Sequence, residues 1–151
     1  MPRKFFEARY IPSGAMLPTL EINDRLLVNK FVYRFQEPQR KDIILFDLSE
    51  DQLQSESTFI KRIIGLPGEN LEVKAGRVYV NNQPLQEDDY IAERPLYNWG
   101  SEQIPANSYF ILGDNRNNSY DSHYWGFLPK DRIIGKATKI FWPPNRIGVI
   151  E

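Results

Sequence analysis

Eleven prolines and nine glycines are spread along the 151 residues and interrupt every candidate helix. Proline has no amide hydrogen to donate and its ring clashes with the preceding helical turn. The stretches between these residues are short and rich in β-branched and aromatic side chains, which is typical of strands. We therefore expect a mostly β chain, with short helical turns only near Pro18 and after Pro129, where proline can occupy a first helical position.

Seven segments fit this pattern of short β-rich stretches. They are Arg25 to Val28, Asp42 to Phe46, Phe59 to Ile64, Leu71 to Val73, Arg77 to Val80, Tyr109 to Leu112 and Ile133 to Trp142. Alternation around Ala75-Gly76 predicts a hairpin between the fourth and fifth, with the glycine supplying a positive φ angle.

The remaining segments predict the domain organisation. Residues 47–58 are polar and acidic, so we expect an exposed loop between two core strands. Residues 81–107 are rich in amides, acids and prolines and predict a lobe with little core of its own. The expected fold is two antiparallel sheets, in which a catalytic core of residues 1–70 and 106–151 is interrupted by a small inserted β lobe, residues 71–105.

Composition excludes several classes of function. The chain has no cysteine, which excludes disulfides, thiolate metal sites and cysteine nucleophiles, and its single histidine argues against zinc. The chain has a net charge of −1 and therefore lacks the excess of basic residues that nucleic-acid-binding proteins carry. No run reaches the roughly 18 apolar residues of a membrane span, and no signal peptide opens the chain. We expect no cofactor, no metal and no nucleic-acid partner.

Three segments stand out as candidates for chemistry. The first, residues 11–20, is restricted by Pro12, Gly14 and Pro18 and carries small or hydroxyl side chains at positions 13, 15 and 19. Taken alone, this segment is explained as well by a rigid loop that enters the first core strand as by a functional site.

The second segment, residues 59–68, places a lysine among large apolar side chains. In a strand, Phe59, Lys61 and Ile63 share one face, and Ile60 and Arg62 lie on the other. An amine in such surroundings is disfavoured as a cation and can act as a base near neutral pH. The alternative is that both cationic side chains extend their heads to water.

The third segment, residues 113–126, has many turn-forming side chains and predicts a loop tied by its own hydrogen bonds. A calcium loop is rejected because Arg116 falls where an oxygen ligand is needed. His123 stands alone in a polar loop, so it is interpreted as a structural, hydrogen-bonding residue.

Together and in this order, the segments resemble the signature boxes of type I signal peptidases. The family pattern Ser-Gly-Ser-Met-x-Pro-Thr-Leu is similar to residues 13–20, which read Ser-Gly-Ala-Met-Leu-Pro-Thr-Leu. Residues 41–46, 61–68 and 113–126 are similar to the following boxes. The matches extend over about residues 10 to 143 and leave only the variable lobe uncovered.

The resemblance implies a serine endopeptidase with a Ser/Lys dyad. A serine hydroxyl attacks the peptide carbonyl after the signal sequence, a neutral lysine takes its proton, and an acyl-enzyme is then hydrolysed. Position 15 would carry the nucleophile and Lys61 would be the general base. Ser13 and the backbone amide of Ala15 would form the oxyanion hole. The supporting residues would be Ser119, which orients the lysine, and Asp114, Arg116 and Asp121, which brace the site. The family often has arginine where His123 stands.

The resemblance also implies the substrate. The family cleaves preproteins after Ala-x-Ala, with small residues at −1 and −3, and binds the signal peptide as an added strand at a sheet edge. Shallow apolar pockets exclude large side chains by overlap. By position, the pocket walls would be Ile11, Pro12, Met16, Leu20, Leu26, Leu45, Phe59 and Ile60.

Ala15 departs from the family pattern, because a methyl group cannot attack a carbonyl. Ser13 could substitute only by leaving the oxyanion hole. We interpret Ala15 as an engineered Ser-to-Ala change, because every group that serves the serine is intact and the membrane anchor that normally precedes the first box is absent. The alternative is a natural pseudoenzyme that binds signal peptides without cutting them.

Two readings outside this family remain open: a β-rich peptide-binding or assembly module, and a self-cleaving repressor-type domain that also uses Ser and Lys. The loop at residues 113–126 is foreign to the second. If the resemblance holds, the partners are signal peptides and, through the missing N-terminal anchor, a membrane surface. The domain would then lie on the extracytoplasmic side, in the periplasm, on the outer surface or in the thylakoid lumen.

Overall fold

A computed structural model describes residues 5–48 and 58–150, and most of the loop predicted at 47–58 lies outside this part of the chain. The described part is mostly β, as predicted. The strands are β1 (Phe6–Tyr10), β2 (Arg25–Asn29), β3 (Ile43–Asp47), β4 (Thr58–Gly65), β5 (Asn70–Lys74), β6 (Arg77–Val80), β7 (Gln83–Pro84), β8 (Trp99–Gln103), β9 (Ser108–Leu112), β10 (Leu128–Pro129), β11 (Ile133–Trp142) and β12 (Gly148–Val149). One short helix, α1 (Ser122–Trp125), precedes β10.

The larger sheet places β4 in its interior. Its strand order is β1-β2-β11-β3-β4-β9-β10, with β12 added beside β11, and the paired strands are antiparallel. On one side of β4, Ile44 pairs with Lys61, and on the other, Arg62 pairs with Leu112. The pairing with β9 starts at Arg62, so the first half of β4 has a paired neighbour only in β3.

The smaller sheet has the order β7-β6-β5-β8. The predicted hairpin between β5 and β6 is confirmed, and both Ala75 (φ 51°) and Gly76 (φ 76°) have positive φ angles. This pair is the backbone pattern of the two-residue turns that match strand twist. β8 was not predicted because Trp-Gly-Ser-Glu-Gln is polar and its last four residues are exposed.

A shared hydrophobic core joins the two sheets. Ile64, Phe110 and Leu112 of the larger sheet pack with Leu71 and Val78 of the smaller one. Two further clusters cover the two faces of the larger sheet around β3 and β4. No helix among the residues that the structure describes is long and apolar enough to cross a membrane.

The predicted helical turns differ in outcome. After Pro129, residues Lys130–Arg132 form a 3₁₀ turn, as expected. Near Pro18 there is no helix, only a turn in which the Leu20 amide donates to the Met16 carbonyl at 2.9 Å. The edge strand β1 was also missed, because its sequence Phe-Glu-Ala-Arg-Tyr carries charges that mask the strand pattern.

Candidate catalytic site

Lys61 is buried in the middle of the larger sheet. Only 4% of the residue is exposed, and its Nζ lies 5.5 Å from the centre of the Phe59 ring. Burial lowers the pKa of Lys61 below its ordinary value of 10.5, while the negative charge of Asp121 opposes that change. The side chain does not extend its head into water, so the alternative weighed for Lys61 is excluded.

Gly113 brings Ser119 and residue 15 together at the end of β9. It follows Leu112, which pairs with Arg62, the residue after Lys61. A Cβ atom built on Gly113 would overlap the Ser119 hydroxyl and lie 2.7 Å from the Ala15 carbonyl oxygen. Since only a glycine leaves this space free, Ser119 and the backbone of residue 15 meet at this point, beside the strand that carries Lys61.

The turn around Ala15 is fixed to the loop that follows β9. The Asn115 backbone amide donates to the Ala15 carbonyl at 3.0 Å, and its side-chain amide donates to the Gly14 carbonyl at 2.9 Å. Nearby, the Asp114 amide lies 3.3 Å from the Met16 sulfur. Distant parts of the sequence thus hold residue 15 against the third segment.

The two predicted oxyanion groups lie side by side. The Ala15 amide donates to the Ser13 hydroxyl oxygen over 3.5 Å, a long and weak hydrogen bond on an exposed part of the turn. Both groups are therefore on the solvent side of the turn, where an approaching carbonyl oxygen could accept from them.

Ser119 carries a buried hydroxyl without a partner. Among the described residues no hydrogen bond to its Oγ is found, although only 6% of the residue is exposed. An unsatisfied buried hydroxyl costs free energy, and such groups concentrate at functional sites. Its position at Gly113 leaves it available to the Lys61 amine or to a hydroxyl at position 15.

Asp121 organises the loop behind these groups. Its buried carboxylate accepts from the Gly113 amide at 3.0 Å and from the His123 amide at 3.2 Å, and it caps the first turn of α1. The same carboxylate pairs with Nδ1 of His123. His123 therefore has the hydrogen-bonding role that the sequence indicated.

Two buried ion pairs brace the loop from the other side. Arg62 contacts both oxygens of Asp114 at 2.8 Å, and Arg116 contacts both oxygens of Glu87 at 2.7 and 2.6 Å. The ring of Tyr90 lies between the two guanidinium groups, 4.1 and 5.9 Å from their carbons. Burial alone would lower the pKa of Arg116, but its hydrogen bonds to Glu87 raise that pKa above its ordinary value.

Sequence reasoning missed Glu87, Tyr90 and the pairing of Arg62. The first two belong to residues 71–105, which were expected to form a separate lobe, and nothing local in their sequence points to a partner 29 residues away. For Arg62 the sequence offered only a side chain that extends its head to water. Arg62 is instead buried, and its guanidinium pairs with Asp114.

The predicted pocket residues divide by exposure. Ile11, Met16, Leu20 and Leu26 form one buried cluster, against which Ile60 packs. Leu45 is also buried and pairs with Ile60 across the sheet. Pro12 is exposed, and Phe59 and Ile60 are partly exposed. Leu20 and Leu26 have no accessible surface, so they can only support the residues above them.

The arrangement provides the parts of nucleophilic acyl transfer except the nucleophile. An amine that favours its neutral form can accept a proton, and two adjacent donors at Ser13 and Ala15 can bind a developing oxyanion. Position 15 carries only a methyl group, which cannot attack a carbonyl. Among residues 5–48 and 58–150, no three acidic or histidine side chains lie close enough together to hold a metal ion.

Comparisons with known proteins identify the family of the chain. The family model described as "Signal peptidase, peptidase S26" matches residues 3–142. "Signal peptidase I" from Leptolyngbya laminosa is 57% identical over 146 residues, which cover 94% of this chain and 71% of that protein. "Thylakoidal processing peptidase 1, chloroplastic" from Arabidopsis thaliana is 38% identical and is covered over 44% of its length. The crystal structure of a signal peptidase I from Enterococcus faecalis is 31% identical, has a TM-score of 0.54, and covers 67% of this chain and 97% of its own.

Proposed function

The chain belongs to the signal peptidase family S26, and from that membership we propose that it is the catalytic domain of a serine endopeptidase that removes signal peptides from exported preproteins. The observation that carries the proposal is the buried Lys61 amine, whose strand pairs with the end of β9, where Gly113 brings Ser119 and residue 15 together. A strand lysine with only a structural role would keep its charge in water.

With a hydroxyl at position 15, the reaction follows from the positions of these groups. Neutral Lys61 takes the hydroxyl proton as the oxygen attacks the scissile carbonyl, and a tetrahedral intermediate forms. The proton then passes to the leaving amine, and the acyl-enzyme is hydrolysed by water that Lys61 deprotonates. The Ser119 hydroxyl, which has no partner among the described residues, would orient the lysine by accepting or donating a hydrogen bond once substrate is bound.

The oxyanion of the intermediate is bound by the Ser13 hydroxyl and the Ala15 amide. Asn115 holds the turn that carries both donors, and the long hydrogen bond between the Ala15 amide and the Ser13 hydroxyl would break as both donate to the oxyanion. Asp121 supports the site in two ways. Its carboxylate accepts from the Gly113 amide, which fixes the backbone there. Its negative charge also favours the protonated form of Lys61, which arises when the amine accepts the hydroxyl proton.

The substrate we propose is an extended peptide with small side chains at −1 and −3, as in Ala-x-Ala. Ile11, Met16 and Ile60 would form the pocket walls, with Leu20 and Leu26 packed beneath them and Leu45 behind Ile60. Pro12 would lie at the rim. Phe59, which was predicted among the pocket walls, packs on the cluster of the opposite face of the sheet and would lie outside these pockets. Well-packed residues under a shallow surface cannot yield to a large side chain, so the pockets select by overlap.

Ala15 makes the present chain a binding form of this enzyme rather than an active one. Loss of the nucleophile of a serine protease costs on the order of a millionfold in turnover, whereas binding depends on groups that are intact here. We attribute Ala15 to an engineered Ser-to-Ala substitution, since Lys61, Ser13 and Ser119 are all in place. A full-length form would be anchored in a membrane with this domain on the extracytoplasmic side.

The proposal is tested by Ala15→Ser. We expect this variant to cleave a signal-peptide substrate after Ala-x-Ala in detergent, whereas the present chain leaves it intact. Mass spectrometry of the products identifies the cleaved bond. Adding Lys61→Met should abolish the activity because no base remains. Adding Lys139→Met, which removes an exposed lysine of β11, should leave it intact.

Failure of correctly folded Ala15→Ser to cleave would overturn the proposal. Peptide binding by the present chain that ignores the residues at −1 and −3 would favour a general peptide-binding module instead.

A further inference from the structure

Three aromatic rings form a row beside the catalytic groups. The ring centres of Phe59 and Tyr120 are 6.3 Å apart, and those of Tyr120 and Tyr124 are 5.8 Å apart and nearly parallel. Tyr120 is 56% exposed and Tyr124 is 69% exposed. Exposed aromatic rings in a connected row are typical of recognition surfaces rather than of a solvated loop.

The row begins at the reacting groups. Phe59 lies 5.5 Å from the Lys61 amine, and Tyr120 directly follows Ser119, whose hydroxyl reaches the Ala15 carbonyl region at Gly113. If a substrate peptide binds with its scissile bond at residue 15, the neighbouring part of that peptide would therefore contact Phe59 and Tyr120.

This row lies on the side of β4 away from the proposed small-residue pockets. Residues alternate along the strand, so Phe59 and Lys61 share one face and Ile60 lies on the other. Ile60 packs on the cluster that contains Ile11 and Met16, whereas Phe59 packs on the cluster of the opposite face. Residues before the cleaved bond would occupy the first side, which leaves the second side to the residues after it.

The spacing of the rings matches an extended peptide. Alternate side chains of a β-strand are about 6.6 Å apart, close to the 6.3 and 5.8 Å between successive rings. We propose that Phe59, Tyr120 and Tyr124 form a subsite for the substrate segment that follows the cleaved bond, bound as an extended chain with apolar side chains at alternate positions. This proposal rests on the proposed function.

The rings are held in place before any substrate arrives. Phe59 stacks on buried Phe46 at 6.0 Å, and Trp125 packs on Phe46 at 5.9 Å while its indole N–H donates to the Tyr120 carbonyl. Tyr124 packs on the His123 ring at 4.1 Å. Because these contacts fix the rings, little conformational entropy is lost when a ligand binds.

The test measures peptide binding to the Ala15 chain, which leaves its ligands uncut. Three synthetic peptides share an Ala-x-Ala signal segment. One ends at −1 as an amide, and two continue for about six residues, a strand long enough to cross the row, with leucine or with serine at alternate positions. We expect the leucine peptide to bind about tenfold tighter than the serine peptide.

The combined Tyr120→Ala and Tyr124→Ala variant should lose this leucine advantage and bind the short peptide as before. Phe35→Ala removes another aromatic ring that is 77% exposed and should change nothing. Far-UV circular dichroism and thermal unfolding verify that each variant is folded.

Several outcomes would overturn the subsite. The leucine advantage could persist in the double variant, or the variant could bind all three peptides equally weakly. If the double variant instead loses only its sedimentation with phosphatidylglycerol vesicles, the rings face lipid and not peptide. If the unaltered chain fails to bind even the short peptide, the proposed function itself is wrong.

Discussion

At the scale of single residues, the site depends on the space left by Gly113. The backbone of this residue runs between the Ser119 side chain and the Ala15 carbonyl, so three distant segments can approach each other only because it has no Cβ. Asp121 then fixes the Gly113 amide at 3.0 Å. The position of the Ser119 hydroxyl is set by this contact and not by a hydrogen bond of its own.

We therefore expect Gly113→Ala to separate Ser119 from residue 15. The added methyl group would overlap the Ser119 side chain and lie 2.7 Å from the Ala15 oxygen, which is backbone and cannot rotate away. Overpacking of this kind typically destabilises by about 1–3 kcal/mol. In the Ala15→Ser background, kcat should fall more than tenfold with a smaller change in KM.

Gly148→Ala is the matched control, because its added Cβ would meet no atom within 4 Å. If adding Gly113→Ala to the Ala15→Ser variant left kcat unchanged, the close contact at Gly113 would not be needed for catalysis.

At the scale of elements, the loop between β9 and α1 is held by charged pairs that cross from other strands. Arg62 on β4 holds Asp114, and Glu87, which follows β7, holds Arg116. Tyr90 fills the space between the guanidinium groups, and the pKa of its hydroxyl is raised by burial and by Glu87. The segment predicted as a separate lobe thus supplies part of the support of the site.

Removing one partner of the buried pair should be costly. We expect Glu87→Ala to lower the free energy of unfolding by about 3–5 kcal/mol, because it leaves the fully buried Arg116 charge unpaired. The combined Glu87→Leu and Arg116→Met variant should lose much less. Chemical denaturation measures both.

The surface pair of Glu37 and Lys130 provides the comparison, since Glu37 is 75% exposed. Glu37→Ala is expected to cost under about 1 kcal/mol. Equal losses for Glu87→Ala and Glu37→Ala would mean that the buried pair does not brace the loop.

These elements also mark what the sequence could predict. The seven predicted strands were all confirmed, because short runs of β-branched and aromatic residues between turn residues favour strands. This holds where one face is buried, as in β5 and β6, and where both are, as in β3 and β9. β8 and β1 were missed because polar edge strands lack that signal. Lys61 was identified because its neighbours are local, whereas Glu87 was not, because its partner is brought to it only by the packing of the two sheets.

At the scale of the whole molecule, the fold isolates the Lys61 amine from water. β3 pairs with Lys61, β9 pairs with the next residue of the strand, and core clusters lie on both faces of the sheet. The predicted boundaries at residues 71 and 105 remain a prediction, but the apolar core is shared by both sheets. The ionisation of Lys61 is thus a property of the complete fold.

NMR titration of Lys61, with labelled lysine side chains and with Lys61→Met to assign the signal, measures this property directly. Because burial favours the neutral amine, the pKa of Lys61 in the folded chain is expected to lie below the ordinary value of 10.5. A Lys61 midpoint at or above 10.5 in the folded chain would contradict its role as a base.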